Sequence, residues 1–388
     1  MTTEGPTLSL CLIFKNEGLY LRDAVESVLP IVNECILVDS GSSDNSEKIV
    51  RDLETYHPEV KYFLRPWPGD FSNQKNFAIE QATSDWILFL DGDERVFKED
   101  HARLLEAIKS KDFMAYDLPI RNYTNDFTEY GYQVSENQFA SGYIKTHLHR
   151  LFRRHPQIRY SGILHERIEP SLQALGAKSL PLDTPIHHLG PLKAKTHHLE
   201  EARYVFYEDL GRKKTATDPS NAQAHWELGV VLQKQKKISE ASGEFKKAFE
   251  LDPTIEEFEV YYCLSLFQQE NWPALKAHPL KFRKAGLFRY LALAQTDAKV
   301  IEELDQFKSD FAQVTLFIFE LSLMHNRLDR IENDREEAAK LFGKTGLVEF
   351  LEGSVKRKNG NLTEAIALLQ TSQQKGCVLA DRELQLMK

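Results

Sequence analysis

Apolar residues come in short, nearly unbroken runs over the first hundred positions. Leu8 to Phe14, Cys35 to Val38, Val60 to Leu64 and Trp86 to Leu90 each have the length and composition of a buried strand. The first, second and fourth are close to continuous, as expected where both faces of a parallel sheet are covered. Between them, Leu19 to Val28, Ser46 to Tyr56 and Asn73 to Gln81 carry helical spacing. Strand and helix in alternation predict an α/β layer with right-handed crossovers. In such sheets ligands bind at the carboxyl ends of the strands, so the residues just after each run are the ones to read for chemistry.

From Lys193 onward the pattern changes to helix formers with a repeat. Asp218-Pro219 recurs as Asp252-Pro253, 34 residues later, which is the tetratricopeptide period. Leu228, Gly229, Leu232, Ala241, Phe245, Ala248 and Pro253 fill the spaced small and large positions of one such repeat. Gly229 and Ala241 would let two antiparallel helices approach closely, and Pro253 would end the second. Gly353, Ala365 and Leu369 keep the same spacing more weakly, and 255–342 reads as helical but degenerate, either further repeats or an arbitrary bundle. The expected organisation is an α/β domain over 1–192 followed by an all-α, tetratricopeptide-like domain over 193–388.

Composition narrows the classes. At 388 residues, with 42% hydrophobic and 28% charged positions, the chain has the make-up of a multi-domain globular protein. A net charge of −9 argues against general nucleic-acid binding, which needs a dominant basic surface. No apolar run approaches the roughly 20 residues of a membrane-spanning helix, and the first six residues lack the features of a signal peptide. Cys11, Cys35, Cys263 and Cys377 form no CxxC pair and read as buried, reduced thiols. The expected location is the cytoplasm, extending to peripheral association at the inner face of a membrane.

Three polar clusters follow the predicted strands: Lys15-Asn16-Glu17-Gly18, Asp39-Ser40-Gly41-Ser42-Ser43-Asp44 and Asp91-Gly92-Asp93-Glu94. The first turn has no GxGxxG for a dinucleotide pyrophosphate and no GxxxxGK[ST] loop. Asp91-Gly92-Asp93 instead suits a hard divalent cation bridging the two phosphates of a nucleotide diphosphate sugar, with Gly92 leaving room for the diphosphate. A DxD triplet is common in solvated turns; its place directly after Trp86 to Leu90 is what raises it above them.

These segments, together with Asn73-Gln74-Lys75-Asn76, resemble glycosyltransferase family 2, in particular its bacterial branch with a GT-A catalytic domain followed by tetratricopeptide repeats. The resemblance implies that Lys15, Asn16, Glu17, Asp39, Ser40, Gly41, Asp44, Lys75, Asp91 and Gly92 border the donor, with Asp39 against the uracil or ribose of a UDP-sugar. Asp44 has an alternative as cap of the helix beginning near Asn45, and Lys75 as part of a solvated helix face. Asp93 is the expected metal ligand, with Asp91 beside it. Family members often read Asp-Ala-Asp-Glu where this chain has Gly92.

Further along, Leu148 to Arg154 and Tyr160 to Glu166 look like the family's acceptor-side segment. Glu166, in His165-Glu166, is the expected general base; its alternative is an ion pair with Arg153 or Arg167, and Asp70 and Glu136 remain other candidate bases. Ile186-His187-His188-Leu189-Gly190 resembles the His-x-Gly segment closing the catalytic domain. His188 is there the expected third metal ligand, or else a structural histidine. Six Lys or Arg lie between 145 and 167 against the single acid Glu166, a concentration that suits a local anion or a solvated basic face.

The resemblance implies a metal-dependent (Mn or Mg), inverting hexosyltransferase acting from a UDP-sugar on a glycan or lipid-linked glycan of cell-surface polysaccharide or lipopolysaccharide type. A protein or peptide acceptor bound by the repeats is an alternative, as is a non-catalytic repeat scaffold. The repeats would also suit a protein partner or self-association.

Overall fold

The computed structural model describes residues 5–127, 129, 131–137, 139–162, 166–192, 197–311 and 313–387. The chain divides into two compact units. One comprises residues 1–123 and 145–193, and the other 124–144 and 194–388.

The first unit is built on a mixed sheet. Its opening strands are β1 (Leu8–Phe14), β2 (Glu34–Asp39), β3 (Val60–Leu64) and β4 (Trp86–Asp91), all parallel in the order β3-β2-β1-β4. The helices α1 (Leu21–Glu26), α2 (Ser46–Tyr56) and α3 (Phe71–Gln81) connect them. β1, β2 and β4 are buried along almost their whole length, while β3 is partly open, as its edge position dictates. Alternation then divides the core in two. Leu8, Leu10, Leu12 and Phe14 of β1 enter one cluster with Leu37, Trp86, Leu88 and Leu90; Cys11 and Ile13 enter the other with Ile36, Val38, Ile87 and Phe89.

Beyond β4 the sheet continues through β5 (Glu94–Val96), β6 (Ala115–Thr124), β7 (Tyr132–Val134), β8 (Gly142–Arg153), β9 (Ser179–Pro181) and β10 (Ile186–His188). The full order is β3-β2-β1-β4-β8-β6-β10-β5, with β7 on β8 and β9 on β6. β8 runs antiparallel to β4, and β10 antiparallel to β5.

The second unit is helical. Ala222–Lys234 and Ile238–Leu251 form an antiparallel pair, and Leu347–Lys358 with Leu362–Gln374 form another. A Cβ on Gly229 would come within 2.5 Å of the Phe245 ring, and one on Gly353 within 2.9 Å of Leu369, sixteen positions on in both cases. The weak second match in the sequence therefore has the same close helix contact as the clear one. The intervening chain is mostly helical among the described residues, including Glu256–Gln268, Gly286–Ala294, Gln313–Met324 and Ile331–Phe342. Segment 124–144 belongs to this unit: Phe127 packs against Phe317 and Phe350, and Tyr132 against Phe342. A single cut at 192/193 does not describe the units, because this insertion, which runs from the end of β6 through β7 to the start of β8, supplies core residues to the helices. The cut itself adjoins 193–196, outside the described residues. All four cysteines are free and buried.

Candidate active site

Register places the acidic residues. Phe14 at the end of β1 pairs with Asp39 of β2, and Ile13 pairs with Asp91 of β4, so the two aspartates flank β1 at the same edge of the sheet. Strand spacing sets their Cα atoms about 10 Å apart. The turn after β1 is strapped to the turn after β2. Asn16, at φ 58°, donates its N–H to Ser42 Oγ (2.9 Å) and accepts from Ser43 N–H at Oδ1 (2.8 Å), while the Glu17 N–H donates to Ser46 Oγ (2.8 Å). The three polar clusters thus gather at one edge.

Within that edge several expected donor-side residues are held by the protein itself. Asp39 Oδ1 accepts from the N–H groups of Gly41 and Ser42 (2.9 and 2.7 Å), and Tyr62 donates its hydroxyl to Oδ2 at 3.2 Å. The turn that allows this needs φ 96° at Gly41, a glycine conformation. Ser40 Oγ accepts from Gln74 Nε2 at 3.1 Å. Asp44 accepts from Ser46 N–H (2.9 Å) and from Gly18 N–H (3.0 Å), and these bonds hold its carboxyl below the ordinary range despite partial burial. Both Asp44 oxygens therefore engage backbone, one of them at the start of α2. Lys15 is exposed at the rim. A Cβ on Gly92 would fall 2.8 Å from Glu17 Cγ and 3.3 Å from Phe14 Cβ, so the space beside Gly92 is filled by this chain and not left open for a ligand.

Asp91, itself partly exposed, is the centre of a charge network whose cations, Lys75 and Arg150, are buried. Its Oδ2 receives Arg150 Nη2 at 2.7 Å, and its Oδ1 lies 3.4 Å from Lys75 Nζ. Burial favours the acid, but Arg150 and then Lys75 outweigh it and drive the Asp91 carboxyl well below the usual range. Arg150 also reaches Glu94 Oε1 at 3.0 Å, and Glu94 Oε2 accepts the Asp91 N–H at 2.8 Å. Burial and the charge of Asp91 push the Glu94 carboxyl up, against the pull of Arg150. Arg150 was legible only as part of a basic run. Its place on β8, antiparallel to β4, is what brings it across to Asp91.

Glu166 joins the same network from the segment after β8: Lys75 Nζ lies 2.6 Å from its Oε1. Its partner is this lysine and neither Arg153 nor Arg167. The basic run does not form one anion-facing surface. Arg153 donates to the carbonyls of Ser110 and Phe113 and lies over Trp86, Arg154 donates to the Ser84 carbonyl, and Arg159 to those of His155 and Ile158. These side chains dock loops onto the sheet. Asp70 caps α3, accepting from Asn73 N–H at 3.0 Å, and Glu136 lies in the insertion that packs with the helices. His165 lies outside the described residues.

A second pairing adjoins Asp91. β10 opposite β5 sets His188 across from Glu94, and the Leu189 N–H donates to the Asp93 carbonyl at 3.0 Å. His188 Nδ1 donates to Asn122 Oδ1 (2.7 Å), an amide oriented in turn by donating to Thr146 Oγ1 (3.1 Å). Nε2 is then the lone-pair nitrogen of the neutral ring, and it faces Asp93 Oδ1 at 3.4 Å. A proton on Nε2 would join the pair, and a cation beside it would do the same. Burial lowers the basicity of His188, but Asp93, then Glu94 and Asp91, raise it above the ordinary value. A Cβ on Gly190 would sit 2.3 Å from Asp93 Oδ2 and 2.7 Å from His188 Nε2, so only glycine lets these two side chains occupy that volume together. A carboxylate beside an oriented imidazole fits a hard or borderline divalent ion. Among the described residues no three such side chains converge, so phosphate and water would have to complete the shell. Asp91, held by two cations, is the poorest fit of the three expected ligands.

His187 is different in kind. It is buried, stacks on Phe97 at 3.7 Å and is hydrogen-bonded through Nδ1 to the Tyr123 hydroxyl at 2.7 Å. Burial, with Arg121 and Arg95 nearby, pulls it down to about 4. Asn122 and Glu94 went unrecognised in the sequence as site residues; Glu94 was visible only as a neighbour of the DxD triplet, and Asn122 had no local signal.

Comparison with known proteins gives a consistent picture. Residues 9–166 match the family described as glycosyl transferase family 2. The SPbeta prophage-derived glycosyltransferase SunS of Bacillus subtilis is 23% identical over 342 residues, spanning 87% of this chain and 72% of that protein. A TPR repeat-containing protein of Synechococcus elongatus is 32% identical over 168 residues, 43% of this chain and 37% of that one. The lipopolysaccharide core biosynthesis glycosyltransferase LpsC of Rhizobium meliloti is 34% identical over 105 residues, 27% of this chain and 38% of its own length. Among solved structures, GalNAc-T7 with UDP, GalNAc and Mn2+ aligns at a TM-score of 0.36 and 15% identity, covering 55% of this chain and 51% of that one, a likeness too slight to argue from.

Proposed function

Because residues 9–166 form a family 2 glycosyltransferase domain, here an α/β unit of GT-A type followed by a helical repeat region, we propose that the chain transfers a hexosyl group from a UDP-sugar to an acceptor hydroxyl with inversion. The acceptor class we favour is a glycan or lipid-linked glycan of cell-surface or lipopolysaccharide type. What supports the reading is the arrival of Glu166 at the Asp91 cluster: a base candidate and the donor-side carboxylate Asp91 share one ammonium at 2.6 and 3.4 Å.

In this reading Asp39 and its turn receive the uridine, and the Asp91 to Asp93 turn faces the diphosphate. Asp93 and His188 would hold a divalent ion, whose chemistry is to offset charge on the departing diphosphate. Glu166 takes the proton of the acceptor hydroxyl as its oxygen attacks the anomeric carbon. The bond from that carbon to the β-phosphate oxygen breaks, and UDP leaves with the electron pair.

Thermal unfolding with UDP, with and without Mn, against GDP and NAD controls, tests the donor assignment. Ligand at about 100 times its dissociation constant adds about 2.7 kcal/mol, a rise of a few degrees. A rise with UDP and Mn is expected; none with any nucleotide would sink the proposal. Glu166→Gln should abolish transfer while leaving the UDP shift in place.

A second reading, a peptide acceptor, draws on a cavity of about 380 Å³ inside the helical unit. Phe267, Phe288 and Phe317 line it, from the first helices of successive pairs, together with Gln313 and Glu320. Gln313 is buried, and its Oε1 has no hydrogen-bond partner among the described residues. Filling the cavity with Leu291→Trp would then impair transfer to peptides and spare UDP-sugar hydrolysis.

A further inference from the structure

Lys75 and Asn76 are adjacent on α3, and each holds a different part of the segment that carries Glu166. Asn76 grips the main chain: its Nδ2 donates to the Tyr160 carbonyl and its Oδ1 accepts the Tyr160 N–H, both at 2.9 Å. One residue on, Ser161 and Arg167 close the segment as an antiparallel bridge with N–H to O distances of 2.9 and 3.0 Å. Glu166 therefore leaves a pinned stretch of backbone, next to the bridge. Lys75 then takes the side chain, 2.6 Å from Oε1, while its other side faces Asp91 Oδ1 at 3.4 Å.

The ammonium is placed so that it has little freedom to do anything else. Lys75 is 4% exposed, and its Nζ lies 4.7 Å from the Phe89 ring centre and 5.1 Å from that of Tyr160. Burial works against its charge, but Asp91 and Glu166 more than compensate and raise it above the ordinary lysine value. Moving this ammonium onto a substrate phosphate would strip the partly buried Glu166 of the ion pair it makes at 2.6 Å, which is unfavourable. Lys75, expected to border the donor, is thus committed to two protein carboxylates.

We propose that Lys75, seconded by Asn76, is a positioning residue of the transfer reaction. It fixes the Glu166 carboxylate at a set distance from Asp91 before any substrate arrives, so that base and donor site stay in register. The proposal rests on the reading of Glu166 as the base.

The test uses the full chain and two readouts. The first is UDP release from UDP-glucose, UDP-galactose, UDP-N-acetylglucosamine and UDP-N-acetylgalactosamine with water as acceptor, alongside UDP affinity by calorimetry with Mn. Glu166→Gln comes first: if it still hydrolyses the donor, the base reading itself has failed. If it is inactive, Lys75→Met should lower kcat at least a hundredfold with the UDP Kd within threefold. The double variant should be no slower than Glu166→Gln alone, and Lys75→Arg should recover part of kcat. A Lys75→Met enzyme with kcat near wild type, or one losing UDP affinity in proportion to kcat, overturns the proposal. The second readout is amide exchange at Tyr160, Ser161 and Arg167, which needs no turnover. Asn76→Ala and Lys75→Met should both speed it, and unchanged exchange in both variants also overturns the proposal.

Discussion

Gly190 shows how much of a site can depend on an atom that is missing. The Asp93–His188 pair occupies the volume its Cβ would take, at 2.3 and 2.7 Å. Gly190→Ala should therefore push the pair apart while leaving the distant core untouched. The expected outcome is at least a tenfold loss of Mn-dependent UDP affinity by calorimetry, with the thermal midpoint in the absence of ligand lowered by no more than a few degrees. An alanine variant that binds UDP and Mn as well as wild type would remove the metal assignment from this pair. Adjacent histidines tell the same story of local geometry. Both are equally visible in the sequence, yet the strand pleat sends His187 into the Phe97 stack and His188 towards Asp93. A motif named both positions; only the side of the strand separated them.

At the scale of elements, two contacts hold the architecture. Glu34, the first residue of β2, is buried and ties together β1, β3 and the loop before β4. It accepts from Ser9 Oγ (2.7 Å), Lys61 Nζ (2.6 Å), Thr83 N–H (2.5 Å) and Ser84 N–H (3.1 Å). Burial opposes its charge, but these donors, Lys61 foremost, pull it from 4.5 to about 2. A depressed carboxyl contributes stability above its unfolded value, and that contribution is lost as pH falls from about 4.5 towards 2. Its size is on the order of 3 kcal/mol, less whatever solvent screens at the exposed Lys61. Acid unfolding should therefore be shallower over this window in Glu34→Gln than in wild type, and parallel curves would contradict it. In the helical unit, Gly229 lets the helix Ala222–Lys234 close on Phe245, whose ring lies 2.5 Å from where a Cβ would be. Gly229→Ala should cost about 1–3 kcal/mol by overpacking. Denaturant unfolding followed by helical circular dichroism would measure it; an unchanged midpoint would mean that the pair has room to slide.

At the scale of the whole molecule, the insertion 124–144 decides what can be cut. Phe127 and Tyr132 are buried among helix residues such as Phe317, Phe342 and Leu351. A fragment of residues 1–192 would expose them, and it should aggregate or elute as oligomers in size-exclusion chromatography. A monomeric fragment with full-length UDP affinity would show that the helices covering the insertion are dispensable to it. What the sequence determined by itself was whatever depends on period and proximity along the chain. The strands β1, β2 and β4, buried on both faces, read as apolar runs; the 34-residue repeat and the DxD triplet after Leu90 were visible because each lies within a limited stretch of chain. What only the tertiary structure decided was pairing across distance. Lys75 with Glu166, Arg150 with Asp91 and Asn122 with His188 join residues that the chain separates by 91, 59 and 66 positions. The same is true of the insertion, which interrupts one unit in sequence and packs in the other. Strand order and register set those pairings, and no local pattern encodes them, because a charged side chain looks the same in sequence whether it meets water or a buried partner of opposite sign.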